Sequence, residues 1–266
     1  MKMHVLDHGS MHCDLTWLVL QGKLTLAGRS NPILPRQWVE CPTYTVLIEH
    51  PEALILWDTS VPRDWETRWA VAGSQEYFPY DGASEDQYFE NALRRLGYDY
   101  SAIDILLQSH LHADHTGHLR EIAAAGARVI CSQDEYDGAM AVEGLSQGVH
   151  IRSDYDGIDF DTISGDEEIV PGVQMIQAPG HTWGTCALLV ELPKSGNVLV
   201  TSDAVYRAES WGPPAVGSAI AWSSLAWESS VEKLRRIASR NDARVIFGHD
   251  AVQMAEMRSR GEWVYE

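Results

Sequence analysis

Seven consecutive residues, Ser109-His110-Leu111-His112-Ala113-Asp114-His115, hold four side chains that bind divalent metals. His110 and His112 stand two apart, so on extended backbone they point to the same side. The apolar run Ile103-Asp104-Ile105-Leu106-Leu107 just before them predicts a buried strand that feeds directly into this segment. Asp114 and His115 follow where the chain turns toward a helix. The turn re-aims them, so the two pairs can serve two different metals.

Three further candidates stand at predicted strand ends. His181 follows Pro179-Gly180, Asp203 follows the apolar stretch from Val198, and His249 follows Phe247-Gly248. With the first segment they make five His and two Asp, enough for two metal ions and one shared carboxylate. Imidazole and carboxylate without thiolate suit zinc foremost, with iron, cobalt or manganese as alternatives. The four cysteines, at 13, 41, 131 and 186, form no C-x-x-C pair and read as reduced, mostly buried thiols.

Around these residues the chain alternates between hairpins and β/α units. Val5-Leu6 and Trp17 to Leu20 read as opening strands. Tyr44 to Glu49 and Ala53 to Trp57 read as a hairpin closed by His50-Pro51-Glu52. Ser84-Glu85-Asp86-Gln87 and Ser132-Gln133-Asp134-Glu135 are capping boxes. The first opens a helix with Phe89, Ala92, Leu93 and Leu96 on one face and Gly97 as its stop; the second opens a helix through Met140. Strands are expected at Ala127 to Cys131, Val173 to Ala178, Cys186 to Leu192, Asn197 to Thr201 and Arg244 to Phe247. A late helix turns Val231, Leu234 and Ala238 to one side. This pattern predicts mixed sheets with helices outside. Val61 to Tyr80 is aromatic without a clean period and reads as a lid loop.

With 266 residues, 45% hydrophobic and 22% charged, the chain fits one domain over 1–266. Its formal charge of −18 repels nucleic-acid backbones and anionic membranes, and no apolar run is long enough to span a bilayer. The opening Met1-Lys2-Met3-His4 lacks a secretory pattern, so a cytoplasmic location is expected. A small neutral molecule is the expected partner, or else a cationic one, and a homodimer is a further candidate assembly.

The order H-x-H-x-D-H, a His after Pro-Gly, an Asp after a strand and a final Gly-His resembles the metallo-β-lactamase superfamily. That resemblance implies an α/β (α+β) fold of the αββα kind, two mixed sheets flanked by helices, with two metals at one edge. It implies His110, His112 and His181 at the first metal, Asp114, His115 and His249 at the second, and Asp203 between them. Classical β-lactamases of this fold use a Cys where this chain has Asp203. Flavodiiron relatives replace the second His with Glu, whereas His112 is present. RNA-processing members add basic regions or extra domains, and glyoxalase-type thiolesterases add a C-terminal helical domain; neither is expected here.

Finer features are similar to N-acyl homoserine lactonases: Leu6-Asp7-His8-Gly9-Ser10, Gln133-Asp134-Glu135-Tyr136, Gly165-Asp166, Phe247-Gly248-His249-Asp250 and above all Asp203-Ala204-Val205-Tyr206. In that family a Tyr three residues after the bridging Asp reaches the substrate carbonyl, which implies a catalytic Tyr206. The implied reaction is hydrolytic opening of the lactone ring, with Asp114 as proton shuttle; the alternative is another lactone or ester opened at the same site. Trp69, Phe78 and Tyr80 in the lid segment, and Trp183, are candidates for binding the acyl chain. This chain departs from the family's pattern at Asp58-Thr59-Ser60 and at Gly180-His181-Thr182-Trp183-Gly184-Thr185, which bears on substrate identity and leaves the metal ligands intact.

Overall fold

The computed structural model describes residues 1–20, 29, 36–142 and 149–266. Its strands are β1 (Lys2–Asp14), β2 (Trp38–Glu49), β3 (Leu54–Trp57), β4 (Ile105–Leu107), β5 (Arg128–Ser132), β6 (Phe160–Ile163), β7 (Glu167–Val170), β8 (Val173–Gln177), β9 (Cys186–Leu192), β10 (Gly196–Val200), β11 (Arg244–Ile246) and β12 (Val264–Tyr265). They form a seven-stranded sheet in the order β12-β1-β2-β3-β4-β5-β6 and a five-stranded sheet in the order β11-β10-β9-β8-β7. Both are mixed. In the first, β1 to β3 pair antiparallel and β3 to β6 parallel; in the second only β10 and β11 are parallel.

Period-two alternation builds the layers. Val46, Ile48, Ile55, Trp57, Ile105, Leu107 and Ile130 point into the space between the sheets, where they meet Val173, Met175, Leu188, Val190, Val198 and Val200. Their neighbours Leu47, Leu56, Leu106 and Val129 point outward, against α2 (Phe89–Arg95), α3 (Leu119–Ala124) and α4 (Gln133–Ala141). On the other side Ile176, Leu189 and Leu199 pack against Trp227, Val231, Leu234 and Ala238 of α7 (Ser224–Arg240). Four layers result, helix–sheet–sheet–helix, as the αββα reading expects. All four cysteines are free and buried. Among the described residues, no helix is long and apolar enough to cross a membrane.

Several local expectations need correction. Trp17 to Leu20 is not a strand. β1 runs unbroken to Asp14, whose carboxylate then accepts from the Thr16 N–H at 2.9 Å and starts a single tight turn over Leu15–Trp17. The segment 61–80, read as a lid loop, is partly helical. It holds the short helix α1 (Trp65–Trp69) and a turn over Ser74–Glu76, anchored by buried Trp69 and Phe78. The Ser84 box is complete, although it caps a short turn before α2 rather than α2 itself. At α4 only half the box forms: the Ser132 hydroxyl accepts from the Glu135 N–H at 3.1 Å, while the Glu135 carboxylate turns into the interior.

Candidate metal centre

The site lies where strands of both sheets end. The loop after β4 brings His110, His112, Asp114 and His115. The turn between β8 and β9 brings His181, the turn after β10 brings Asp203, and the turn after β11 brings His249. Gly248 is required beside it, because a Cβ there would sit 2.6 Å from the Ser202 carbonyl oxygen and 3.1 Å from Asp203 Oδ1.

All seven side chains singled out in the sequence as ligands come together, in two groups: His110, His112, His181 and Asp203, and Asp114, His115, Asp203 and His249. Within each group one potential ligand atom per residue lies within 4.8 Å of every other. In the first group His181 Nε2 stands 3.2 Å from His110 Nε2, 2.9 Å from His112 Nδ1 and 3.3 Å from Asp203 Oδ2. In the second, Asp203 Oδ1 stands 3.3 Å from His115 Nε2 and 3.1 Å from His249 Nε2, and Asp114 Oδ2 stands 3.4 Å and 3.6 Å from the same two nitrogens. Ligands about 2.0–2.1 Å from a tetrahedral zinc stand roughly 3.3 Å apart, so these spacings suit a cation at each centre. Asp203 turns one oxygen to each group.

The outward nitrogens explain why the inward ones are free to ligate. His249 Nδ1 donates to the Pro42 carbonyl at 2.7 Å and His115 Nδ1 to Asp58 Oδ2 at 2.9 Å. Ser109 Oγ donates to Asp58 Oδ2 at 2.8 Å, and it can then accept from His110 Nδ1 at 2.9 Å. A proton held on the far nitrogen leaves a lone pair on the near one. Asp58 manages this from a left-handed backbone (φ 60°), a conformation that Asp tolerates better than most residues. Two atoms facing the centre, His115 Nε2 and Asp203 Oδ1, are buried without a hydrogen-bond partner, as atoms meant for a cation would be.

Electrostatics point the same way. Burial holds His110 and His112 well below the ordinary histidine range, so both present lone pairs. Burial also opposes charge on His115, yet Asp114, Asp203 and Asp58 hold it well above that range. His249 is likewise buried, and Asp203 and Asp114 raise it to about 9. Burial works against the Asp203 carboxylate, but His249 and His115 keep it well below the usual carboxylate range. The ion-pair partners of Asp58, Asp114 and Asp203 are histidines, with no Lys or Arg among the described residues. Two buried carboxylates, Asp58 and Asp203, and the part-buried Asp114, without a fixed cation, fit divalent metals.

Tyr206 is buried, lies 3.0 Å through its hydroxyl from His181 Nδ1, and shares a small pocket with His112, Asp114, Asp203 and His249. Burial, reinforced by Asp203 and Asp114, raises its pKa well above the ordinary phenol value, so the proton stays on. Beside that pocket an open cleft of about 440 Å³ runs outward from His112 and His181, walled by Trp17, Tyr77, Phe78, Trp183 and Trp222. Trp69 and Phe78 line the pocket, and Phe78 and Trp183 line the cleft. Tyr80 lines neither. Its buried hydroxyl donates to the His8 carbonyl and its ring packs edge-on to Tyr88, which sets it among the packing residues rather than at the site.

Two residues here had no reading as site residues in the sequence. Glu135 is fully buried. It accepts from the Leu111 N–H at 2.9 Å, between His110 and His112, and from the Thr182 hydroxyl and the Gly184 N–H beside His181, so it ties two ligand-bearing loops together. His150 lies against His112. A capping-box Glu that does not complete its box gives no local sign of this, and a lone His gives none either.

Fold and site together define a class: an αββα sandwich with paired His/Asp metal cradles at one edge. The chain belongs to the metallo-β-lactamase superfamily, whose sequence model matches residues 38–249. It is similar to N-acyl homoserine lactonase AiiB of Agrobacterium fabrum, at 31% identity over 100% of this chain and 99% of that protein. It is similar to N-acyl homoserine lactonase AiiA of Bacillus thuringiensis subsp. kurstaki, at 28% identity over 98% of this chain and 94% of that one. Among solved structures, an N-acyl homoserine lactone hydrolase with the product N-hexanoyl-L-homoserine at its catalytic metal centre superposes with a TM-score of 0.78, at 25% identity over 96% of this chain and 95% of the other.

Proposed function

We propose that this protein hydrolyses N-acyl homoserine lactones to N-acyl homoserines. His110, His112 and His181 would hold one metal, Asp114, His115 and His249 a second, and Asp203 would serve both. The observation that carries the reading is the pair of cradles sharing Asp203 and opening on an apolar cleft, in a chain that aligns end to end with N-acyl homoserine lactonases. Zinc is the metal proposed, since the donor set is imidazole and carboxylate.

Two such cations supply Lewis acidity and water activation near neutral pH. The protein's own groups do the rest. With its Nε2 lone pair turned inward, His181 carries its proton on Nδ1 and donates it to the Tyr206 oxygen, which leaves the Tyr206 O–H free to donate to the lactone carbonyl oxygen as charge develops there. Asp114 faces the second group through Oδ2, and in this reading its carboxylate takes the proton lost by the attacking water and passes it to the ring oxygen as the acyl C–O bond breaks. The cleft walls exclude water from the acyl chain.

The test is mass spectrometry of metal-loaded protein incubated with N-hexanoyl and N-decanoyl homoserine lactones beside γ-alkyl lactones and simple esters. Chelator-sensitive addition of one water to the acyl homoserine lactones is expected. Turnover of other lactones or esters with none of the acyl homoserine lactones would overturn the substrate assignment.

A further inference from the structure

His150 is a buried histidine that neither metal cradle uses, 6% exposed and part of the cleft wall beside His112 and His181. Its ring meets that of His112 edge to face at 4.4 Å and lies 5.4 Å from that of Trp183. Its Nε2 is sealed from solvent, has no hydrogen-bond partner, and stands 3.8 Å from Glu135 Oε1. Its Nδ1 has no partner either among the described residues, but it is not sealed, so it is the nitrogen on the side of the cleft. Nearby polar groups are committed elsewhere: His181 Nε2 faces the first cradle, and the Thr182 hydroxyl bonds to Glu135 and Thr185.

We propose that His150 is a specificity-determining residue that accepts a hydrogen bond from the amide N–H of an N-acyl lactone; this rests on the lactonase reading above. The Glu135 carboxylate favours the tautomer with the proton on Nε2, and Nδ1 then offers its lone pair to the cleft. An acyl amide is attached to the ring carbon next to the lactone carbonyl. With that carbonyl at the cradles, the amide falls within one side chain's reach of His112, where the His150 ring lies. The aromatic walls strip water from the N–H, and a desolvated donor left unpaired costs affinity. An acceptor at this point lets the cleft discriminate amide-bearing lactones from those that share only the ring and an apolar chain.

The test compares two substrates on zinc-loaded protein: N-hexanoyl homoserine lactone and α-hexanoyloxy-γ-butyrolactone, in which an ester oxygen replaces the amide N–H and little else changes. His150→Phe keeps a ring against His112 and Trp183 and removes the acceptor. It is expected to lower kcat/KM for the amide by about tenfold, mainly through KM, with a clearly smaller loss for the ester. His150→Asn, whose side-chain oxygen falls near the place of Nδ1, is expected to recover part of the preference. Parallel losses on both substrates, or a preference unchanged in His150→Phe at full metal content, would overturn the proposal. Failure of the lactonase reading shows separately, as a parent protein that does not open N-hexanoyl homoserine lactone, whether or not it opens the ester.

Discussion

The Tyr206 hydroxyl stands 3.0 Å from His181 Nδ1, so the side chain read as an oxyanion donor also touches a ligand of the first cradle. Tyr206→Phe separates the two roles. His181 Nδ1 retains the Ile220 carbonyl at 3.4 Å, so metal content is expected to hold. The loss in kcat is expected to be about tenfold to a few hundredfold, or about 1.4–3.5 kcal/mol. Unchanged kcat/KM with both metals bound would make Tyr206 a packing residue.

Asp203→Asn replaces one of two oxygens that face different groups of imidazoles with an amide N–H₂. Losing an outer partner of a ligand typically costs about 10–100-fold, and losing a shared ligand costs more. Activity is expected to fall by more than about a hundredfold, with fewer than two metals retained. Near-full activity with both metals would show that another residue bridges.

Glu135→Gln puts an amide donor where the native carboxylate accepts from Leu111, Thr182 and Gly184. At least one buried donor then loses its acceptor, at about 1–3 kcal/mol. The loops holding His110, His112 and His181 loosen with it. A lower urea midpoint and metal affinity weaker by about 10–100-fold are expected. If neither changes, Glu135 does not tie the loops.

Asp154 supplies a pH signature outside the metal centre. Burial raises its carboxyl to about 7, against the pull of Arg68 at 3.6 Å and the Thr116 hydroxyl at 3.3 Å. The unfolded chain releases that proton near pH 4, so between about 4 and 7 the folded state holds a proton that the unfolded state does not. The resulting stability is full below about pH 4 and is lost as pH rises through about 7. Asp154→Asn cannot titrate, so relative to the parent it is expected to gain stability as pH rises across that window. Urea midpoints of both proteins at about pH 4, 5.5 and 8 measure this. A difference that does not move with pH would contradict it.

Much of the centre was legible because its ligands are dense in sequence or stand at strand ends. His110 to His115 sit in one segment, and His181, Asp203 and His249 each follow an apolar run. The layers were legible too, since hairpin and β/α contexts alternate along the chain, and continuous apolar runs such as Leu54 to Trp57 suit strands covered on both faces. What escaped depends on distant partners. Glu135 shows a capping box, and only the approach of Leu111 and Gly184 reveals why its carboxylate leaves the helix end. Trp17 has strand propensity, but Asp14 caps a turn before it. Tyr80 has the composition of a lid residue, and the His8 carbonyl claims its hydroxyl. His150 acquires meaning only from the rings of His112 and Trp183 beside it.

The most direct measurement of the central claim is a metal titration of the metal-free protein, with bound metal and opening of N-hexanoyl homoserine lactone read on the same sample. Turnover is expected to appear as the cradles fill and to reach its plateau at two metal ions per chain, as two four-ligand groups sharing Asp203 require. Full turnover with one metal or none, or no lactone opening with both cradles filled, would contradict it.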